Sequence, residues 1–292
     1  MLLQLIINAI SAACVYLLIA LGFNLIYYTA RFLNFSHAAV FVAGAYSVYF
    51  LSSEAGFSLF FSILLGILLA ALLGSLLEIF IFRTLRHKRS SPLILLLASF
   101  GIYIVLQNII SIIFGDATRS LSNGNIKKGL LVFGARITFI QIIIIIISIV
   151  LLVSVWAFMK QTKTGLAMRA VADNKELAHI VGINNDRLIL WAFIIGSALA
   201  GIAGILFSLD VNMTPTMGMN ALMMGIIAVI VGGVGSIQGI AFGALLLGMA
   251  QHLGVWKISS QWQNAIAFFI LLAFLLIKPE GFLGKKIRKA MI

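Results

Sequence analysis

Apolar residues in this chain come in long blocks, and polar residues collect between them. The blocks cover roughly 2–29, 36–52, 58–82, 92–115, 138–159, 188–209, 219–255 and 261–277. About 20 apolar residues let a helix cross a hydrocarbon core, so the block lengths suit helices. Strands of a membrane barrel would be shorter and would alternate, which the uninterrupted run Ile142–Ile147 does not do. The pattern predicts an all-α, polytopic transmembrane bundle of about eight to ten membrane segments, forming a single domain over 1–292.

One block does not fit a single crossing. Residues 219–255 would make one helix of ~55 Å at 1.5 Å per residue. Its natural break is Gly232-Gly233-Val234-Gly235-Ser236, followed by Gly239 and Gly243. Glycines permit non-helical backbone, which is tolerated at membrane depth only inside protein or beside a watery cavity. They also permit close helix packing, as the small residues Gly196, Ala200 and Gly204 would. Both readings stand, as do two crossings or a re-entrant dip.

The longest polar break, about 160–187, reads as one small amphipathic helix on the membrane surface. Leu166, Ala170, Leu177 and Val181 fall on one face, while Arg169, Asp173 and Glu176 lie on another at pairing distance. Gly182 is placed to end the helix. So short a helix is marginal alone in water and is expected to dock, on the bilayer or on a soluble motor protein.

Composition agrees: 62% of residues are hydrophobic and 10% charged, with a mean hydropathy of +1.16. Soluble domains are nearer half apolar, so no sizeable soluble domain is expected. The net charge of +12 is read as topology and not as nucleic-acid binding, since Lys and Arg collect in cytoplasmic loops. Residues 83–91 carry Arg83, Arg86, Lys88 and Arg89; the 160–187 break carries Lys160, Lys163, Arg169, Lys175 and Arg187; the tail carries Lys278, Lys285, Lys286, Arg288 and Lys289. Two spans separate the first two loops, so both are expected inside, with an outside N-terminus and a cytoplasmic C-terminus. The loop 116–137 lies opposite despite four basic residues. The first run has no basic residue before it and is too long for a cleaved signal core.

No enzyme constellation is legible. The single cysteine, Cys14, excludes an intrachain disulfide and reads as packing. His37, His87, His179 and His252 are scattered, and no zincin, nucleophile-elbow or ATP-binding P-loop motif occurs. Ion-coupled carriers place ionisable groups inside their spans. Here Glu78 and Asp210 are the candidates, and both are expected at the interfaces. Asn34, Ser36 and His37 sit where the second block begins. Ser36 is read as a helix cap, with His37 left open as a pathway residue.

Three stretches together resemble the membrane permease of branched-chain amino acid ABC importers, the high-affinity leucine/isoleucine/valine type. Asn34-Phe35-Ser36-His37 with Gly44-Ala45-Tyr46 is similar to the family's early signature, with Ala38 where glycine is usual. Thr164-Gly165-Leu166-Ala167-Met168-Arg169-Ala170, then Asn174, Ala178 and Gly182-Ile183, is similar to its coupling segment. Gly232-Gly233-Val234-Gly235-Ser236 with Gly239 and Gly243 is similar to its late glycine-rich signature.

The resemblance implies a transporter subunit, not an enzyme, in a bacterial or archaeal cytoplasmic membrane. It implies two cytoplasmic ATPase subunits, which bind ATP and Mg²⁺ while this chain binds no cofactor or metal. A second, related permease chain and an extracytoplasmic solute-binding protein complete the assembly. Gly165, Leu166, Arg169, Ala170, Asp173, Asn174, Ala178 and Gly182 are then the expected ATPase-coupling residues. Asn34, Ser36, His37, Gly232, Gly233, Gly235, Ser236 and Gly239 are the expected pathway or helix-break residues. Alternatives are an ABC permease of the same type for urea, short amides or other amino acids, and a self-sufficient channel or secondary carrier. An intramembrane enzyme would need paired polar residues at one depth.

Overall fold

The structure, a computed structural model, describes residues 2–121, 129–132, 134–256 and 259–284. The basic tail residues Lys285, Lys286, Arg288 and Lys289 lie outside them. Helix α1 spans Leu2–Ala30 and α2 spans Ser36–Tyr49, prolonged by a π turn at Phe50–Glu54. Helix α3, Leu59–Leu77, passes through a second π turn, Glu78–Phe82, into α4, Arg83–His87. Helix α5, Pro92–Phe114, is followed by a hairpin of β1, Gly129–Val132, and β2, Ala135–Thr138. The hairpin pairs Gly129 with Thr138 and Val132 with Ala135. Then come α6, Phe139–Gln161; α7, Lys163–Asp173; α8, Lys175–Ile180; α9, Asn185–Asp210; α10, Met217–Gly232; α11, Ile237–Gly254; and α12, Gln263–Ile277.

Local chemistry sets these boundaries. The Ser91 hydroxyl accepts from the amide of Ile94, and Pro92 opens α5. Thr138 and Gln141 form a capping box for α6. Among the described residues, seven helices are long and apolar enough to cross a membrane. The predicted blocks match the helices, except that the block 58–82 runs on as helix to His87 and the block 219–255 divides into α10 and α11.

Burial separates centre from rim. In the most apolar windows of α1 and α9, 61% and 67% of residues are buried, against 22% in α3, α5 and α6. Eleven of the fourteen residues of α2 are buried. In α10 eleven of sixteen residues are buried too, so α1, α2, α9 and α10 form the core. The rim exposes Phe60, Phe80 and Ile112 at 68%, 70% and 83%, a surface suited to lipid and not to water.

Helices α10 and α11 form an antiparallel hairpin, which resolves the overlong block 219–255. Gly239 faces the carbonyl of Gly232, and Gly243 that of Ala228. The turn between them closes against α1, where the Gly235 amide donates to Asn24 Oδ1 at 2.9 Å. It also closes against the C-terminal segment, where the amides of Phe282 and Leu283 donate to the carbonyls of Val231 and Gly232.

Contacts between loops define the two ends of the bundle. At one end, Gln4 and Arg136 exchange hydrogen bonds of 2.8 and 3.0 Å. There too Arg119 pairs with Met213, and its guanidinium lies 5.8 Å from the Tyr49 ring. At the other end Arg31, just past α1, donates to the carbonyl of Ala172 in α7, and Arg83 of α4 pairs with Asp186 of α9. The two basic loops 83–91 and 160–187 thus share an end, as the parity of spans requires.

Candidate functional site

The polar break is not one helix. Thr162 caps α7, its hydroxyl accepting from the Gly165 amide at 3.0 Å. Gly165 is buried on α6, where a Cβ would lie 2.3 Å from the carbonyl of Phe158. Met168, Val171 and Ala172 turn inward. At Asn174 the backbone leaves the helix (φ −150°). Its side chain then accepts from the amides of Glu176 and Leu177 at 3.1 and 3.0 Å, starting α8. An Asn that caps so well competes with helix continuation, which is why the single predicted helix divides. Gly182 does end α8 (φ +84°), with the Ile183 amide donating back to the carbonyl of Ala178.

The eight expected coupling residues divide by role. Gly165 and Ala178 are buried, Asn174 is the cap, and Gly182 is the stop. Leu166 and Asp173 face outward, and Arg169 and Ala170 are half-buried. The predicted apolar face survives in part. Leu166, Leu177 and Val181 are 60%, 58% and 67% exposed, joined by Ile180 at 80%. The expected pairing of Arg169 with Asp173 or Glu176 is not among the ion pairs of the described residues. Among the described residues, Arg169 Nε is enclosed without a hydrogen-bond partner.

The early polar residues are buried. The cap position of α2 is Phe35, with no side-chain cap; Ser36 is the first helical residue, and Asn34 Oδ1 accepts from its amide at 3.2 Å and from its hydroxyl at 2.6 Å. His37 is fully buried. It packs at the crossing of α1 and α9, with its ring 6.4 Å from that of Phe23 and its Nε2 beside Gly22. Among the described residues, neither ring nitrogen has a hydrogen-bond partner.

The late glycines break the helix at an end of the bundle. Gly233 and Gly235 have φ of +102° and +82°, and a Cβ on Gly233 would lie 2.4 Å from the Gly284 amide. Ser236 caps α11 through the Gly239 amide at 3.1 Å, while Gly232 and Gly239 are in backbone contact.

One cluster was not foreseen. Glu78 is enclosed in protein, 1% exposed. Arg86 Nη1 donates to Glu78 Oε2 at 2.9 Å, and Nη2 to Oε1. Arg86 Nη2 also reaches Asp186 Oδ1 at 3.3 Å, and Asp186 Oδ2 takes His87 Nε2 at 2.8 Å and Arg83 Nε at 3.4 Å. Beside the cluster an open cleft of about 530 Å³ is lined by Arg86, His87, Lys175, His179 and Asn184. Partial burial, and then the Arg86 charge, hold the Lys175 ammonium below its ordinary pKa, opposed by Asp186 and Glu78. The sequence did contain one signal: Glu78, Arg86 and Asp186 all fall at span ends that parity places together.

What remains is an apolar bundle with a two-helix knob at one end that leaves Leu166, Leu177, Ile180 and Val181 uncovered among exposed polar residues. Residues 5–275 match the family described as branched-chain amino acid transport system, permease component.

The chain belongs to that family.

It is 32% identical to the high-affinity branched-chain amino acid transport system permease protein LivH of Escherichia coli K12, over 97% of this chain and 96% of that one. It is 28% identical to BraD, the corresponding high-affinity permease protein of Pseudomonas aeruginosa, with the same coverage. Among solved structures, PsaBC from Streptococcus pneumoniae in complex with Fab is similar in fold. Its TM-score is 0.51 and its identity 15%, covering 94% of this chain and 91% of that one. This permease is therefore an all-α, multi-pass membrane protein of the transporter class. Its curated relatives LivH and BraD are named as transport system permease proteins.

Proposed function

We propose that this permease forms the translocation pathway of an ATP-driven importer for branched-chain amino acids, with α7–α8 seated in separate cytoplasmic ATPase subunits. The observation that carries this reading is the row of uncovered apolar side chains, Leu166, Leu177, Ile180 and Val181, on a knob outside the spans. Such side chains on a short polar-loop helix gain from burial in a protein cleft, about 25 cal/mol per Å² removed from water. The curated relatives named for branched-chain amino acids, matched along almost the whole chain, support the solute class.

In this reading the knob end is cytoplasmic, and the C-terminal turn at Phe282–Leu283 lies on the same side. Two ATPases bind ATP and Mg²⁺, a second permease chain completes the pathway, and an extracytoplasmic binding protein delivers the solute. Closure of the ATPases pushes α7–α8, which rest on α6, α1 and α9, and the bundle opens to alternate sides. His37 and the α1–α9 crossing are the part of the core that such a tilt would open.

The test is reconstitution of this chain with ATPases, a second permease and a binding protein in proteoliposomes. ATP-dependent leucine uptake that needs every component is expected. Uptake of urea in place of leucine would change the solute, and flux through this chain alone would overturn the reading.

A further inference from the structure

The charge cluster sits where a push on the knob must pass into the bundle. Helix α8 and the first turn of α9 are tied into one unit. Asn185 Nδ2 donates to the carbonyl of Lys175 at 3.1 Å, the Ile183 amide to the carbonyl of Ala178 at 3.0 Å, and Asn184 caps the Arg187 amide at 3.1 Å. Asp186 stands in that turn, and α4 grips it with three side chains, Arg83, Arg86 and His87. Helix α4 continues α3 through the π turn Glu78–Phe82, so α3 is held at its end to the element that follows the knob.

The π turn is what makes the grip firm. Residues eight apart on an α-helix differ by about 80° in direction, at about 100° per residue. A π turn takes up one extra residue and sets the phase back by about 100°, leaving about 20°. Glu78 and Arg86 therefore share a face, and the buried Glu78 carboxylate holds the Arg86 guanidinium in one orientation toward Asp186. Charge-assisted, bidentate pairing of this kind gives direction as well as attraction.

We infer that Glu78, Arg86 and Asp186 form a clasp that transmits the stroke of the coupling knob to α3. Arg86 and Asp186 act as positioning residues for alternating access. The inference rests on the importer reading and adds to it the route of force within this chain. Helices α3 and α9 also pack closely along their spans, where a Cβ on Gly74 would meet Ser197 and one on Gly201 would meet Ala70. With the clasp cut, the knob still seats in the ATPase and hydrolysis proceeds, but the α4 end of α3 no longer follows the first turn of α9 and fewer solutes cross per ATP.

The test is Asp186→Asn in the fully assembled transporter, with leucine uptake and ATP hydrolysis measured on the same vesicles. A several-fold fall in uptake per ATP, with hydrolysis and assembly near wild type, is expected. A merely structural role would lower both activities together and leave their ratio unchanged, which would overturn the clasp. Should Asp186→Asn not assemble, Asp186→Glu carries the test, since it keeps the charge and displaces the carboxylate. A wild-type ratio there would also overturn the inference. The wild-type complex is run alongside. If it shows no ATP-dependent uptake, the importer reading fails; if it does and the ratio is unchanged in the variant, the clasp alone fails.

Discussion

The backbones of Gly22 and Gly196 touch reciprocally. A Cβ on Gly22 would lie 2.5 Å from the Gly196 carbonyl oxygen, and one on Gly196 would lie 2.7 Å from that of Gly22. This contact sets the approach of the two central helices, α1 and α9, and His37 is wedged beside it. Small residues at such crossings replace the hydrophobic drive that is missing between helices in lipid.

Gly196→Ala is expected to destabilise the bundle by about 1–3 kcal/mol, the usual cost of overpacking a well-filled site. Gly101→Ala is the control, because a Cβ there meets nothing within 4 Å. Replacing a mid-helix glycine by alanine gains roughly 0.5–1 kcal/mol. Thermal unfolding of the two purified variants in detergent should shift in opposite directions.

Glu78→Leu removes the main partner of a guanidinium whose side chain is only 7% exposed. Breaking a buried pair costs about 3–5 kcal/mol, whereas replacing both partners by apolar residues of similar size is often neutral. The double variant Glu78→Leu with Arg86→Met should therefore be more stable than Glu78→Leu alone. Equal unfolding midpoints for the single and double variants would show that Arg86 is content with Asp186.

Asn174→Ala deletes the side chain that caps α8 and should cost about 1 kcal/mol, with Asn174→Gly costing only a few tenths. The loss is local. Amide exchange should speed up at Glu176 and Leu177, whose amides Asn174 accepts from, while the amides of α9 keep their protection.

Ile180→Asp changes a side chain that is 80% exposed, so the isolated permease should unfold at the wild-type temperature within the error of the measurement. Under the importer reading it places a charge in the ATPase cleft and should weaken co-purification of the ATPase at least tenfold. Unchanged co-purification would remove α8 from the contact.

Within this chain, different parts of the architecture were legible to different degrees. The helices could be read from the lengths of the apolar blocks, because unpaired backbone in hydrocarbon is costly and each block must satisfy its own amides. The division at Asn174 was also readable in principle. A strong capping residue stands inside an otherwise helical pattern, and the 100° wheel was carried through it unbroken. Glu78 gave no sign of its pairing with Arg86, for the same reason in reverse. A regular wheel sets it about 80° from Arg86, and nothing in its neighbours announces the π turn that aligns them. Ser36 favours a cap position by residue type, but the backbone path of 31–35 makes it the first residue of α2 and leaves its amide to Asn34 Oδ1.

By itself the sequence determined that this is a membrane bundle, where its apolar helices run, where its polar knob falls and which family it resembles. These follow from local quantities: the apolar length needed to cross lipid, the placement of charge between spans, and motif order. Which helices lie at the centre, and which charges meet, was decided only by the tertiary structure. In a chain whose helices are apolar on nearly every face, burial in protein and burial in lipid look alike from the sequence. The difference lies in backbone approaches such as Gly22 to Gly196, and in a helix phase shifted by a single residue before Arg86.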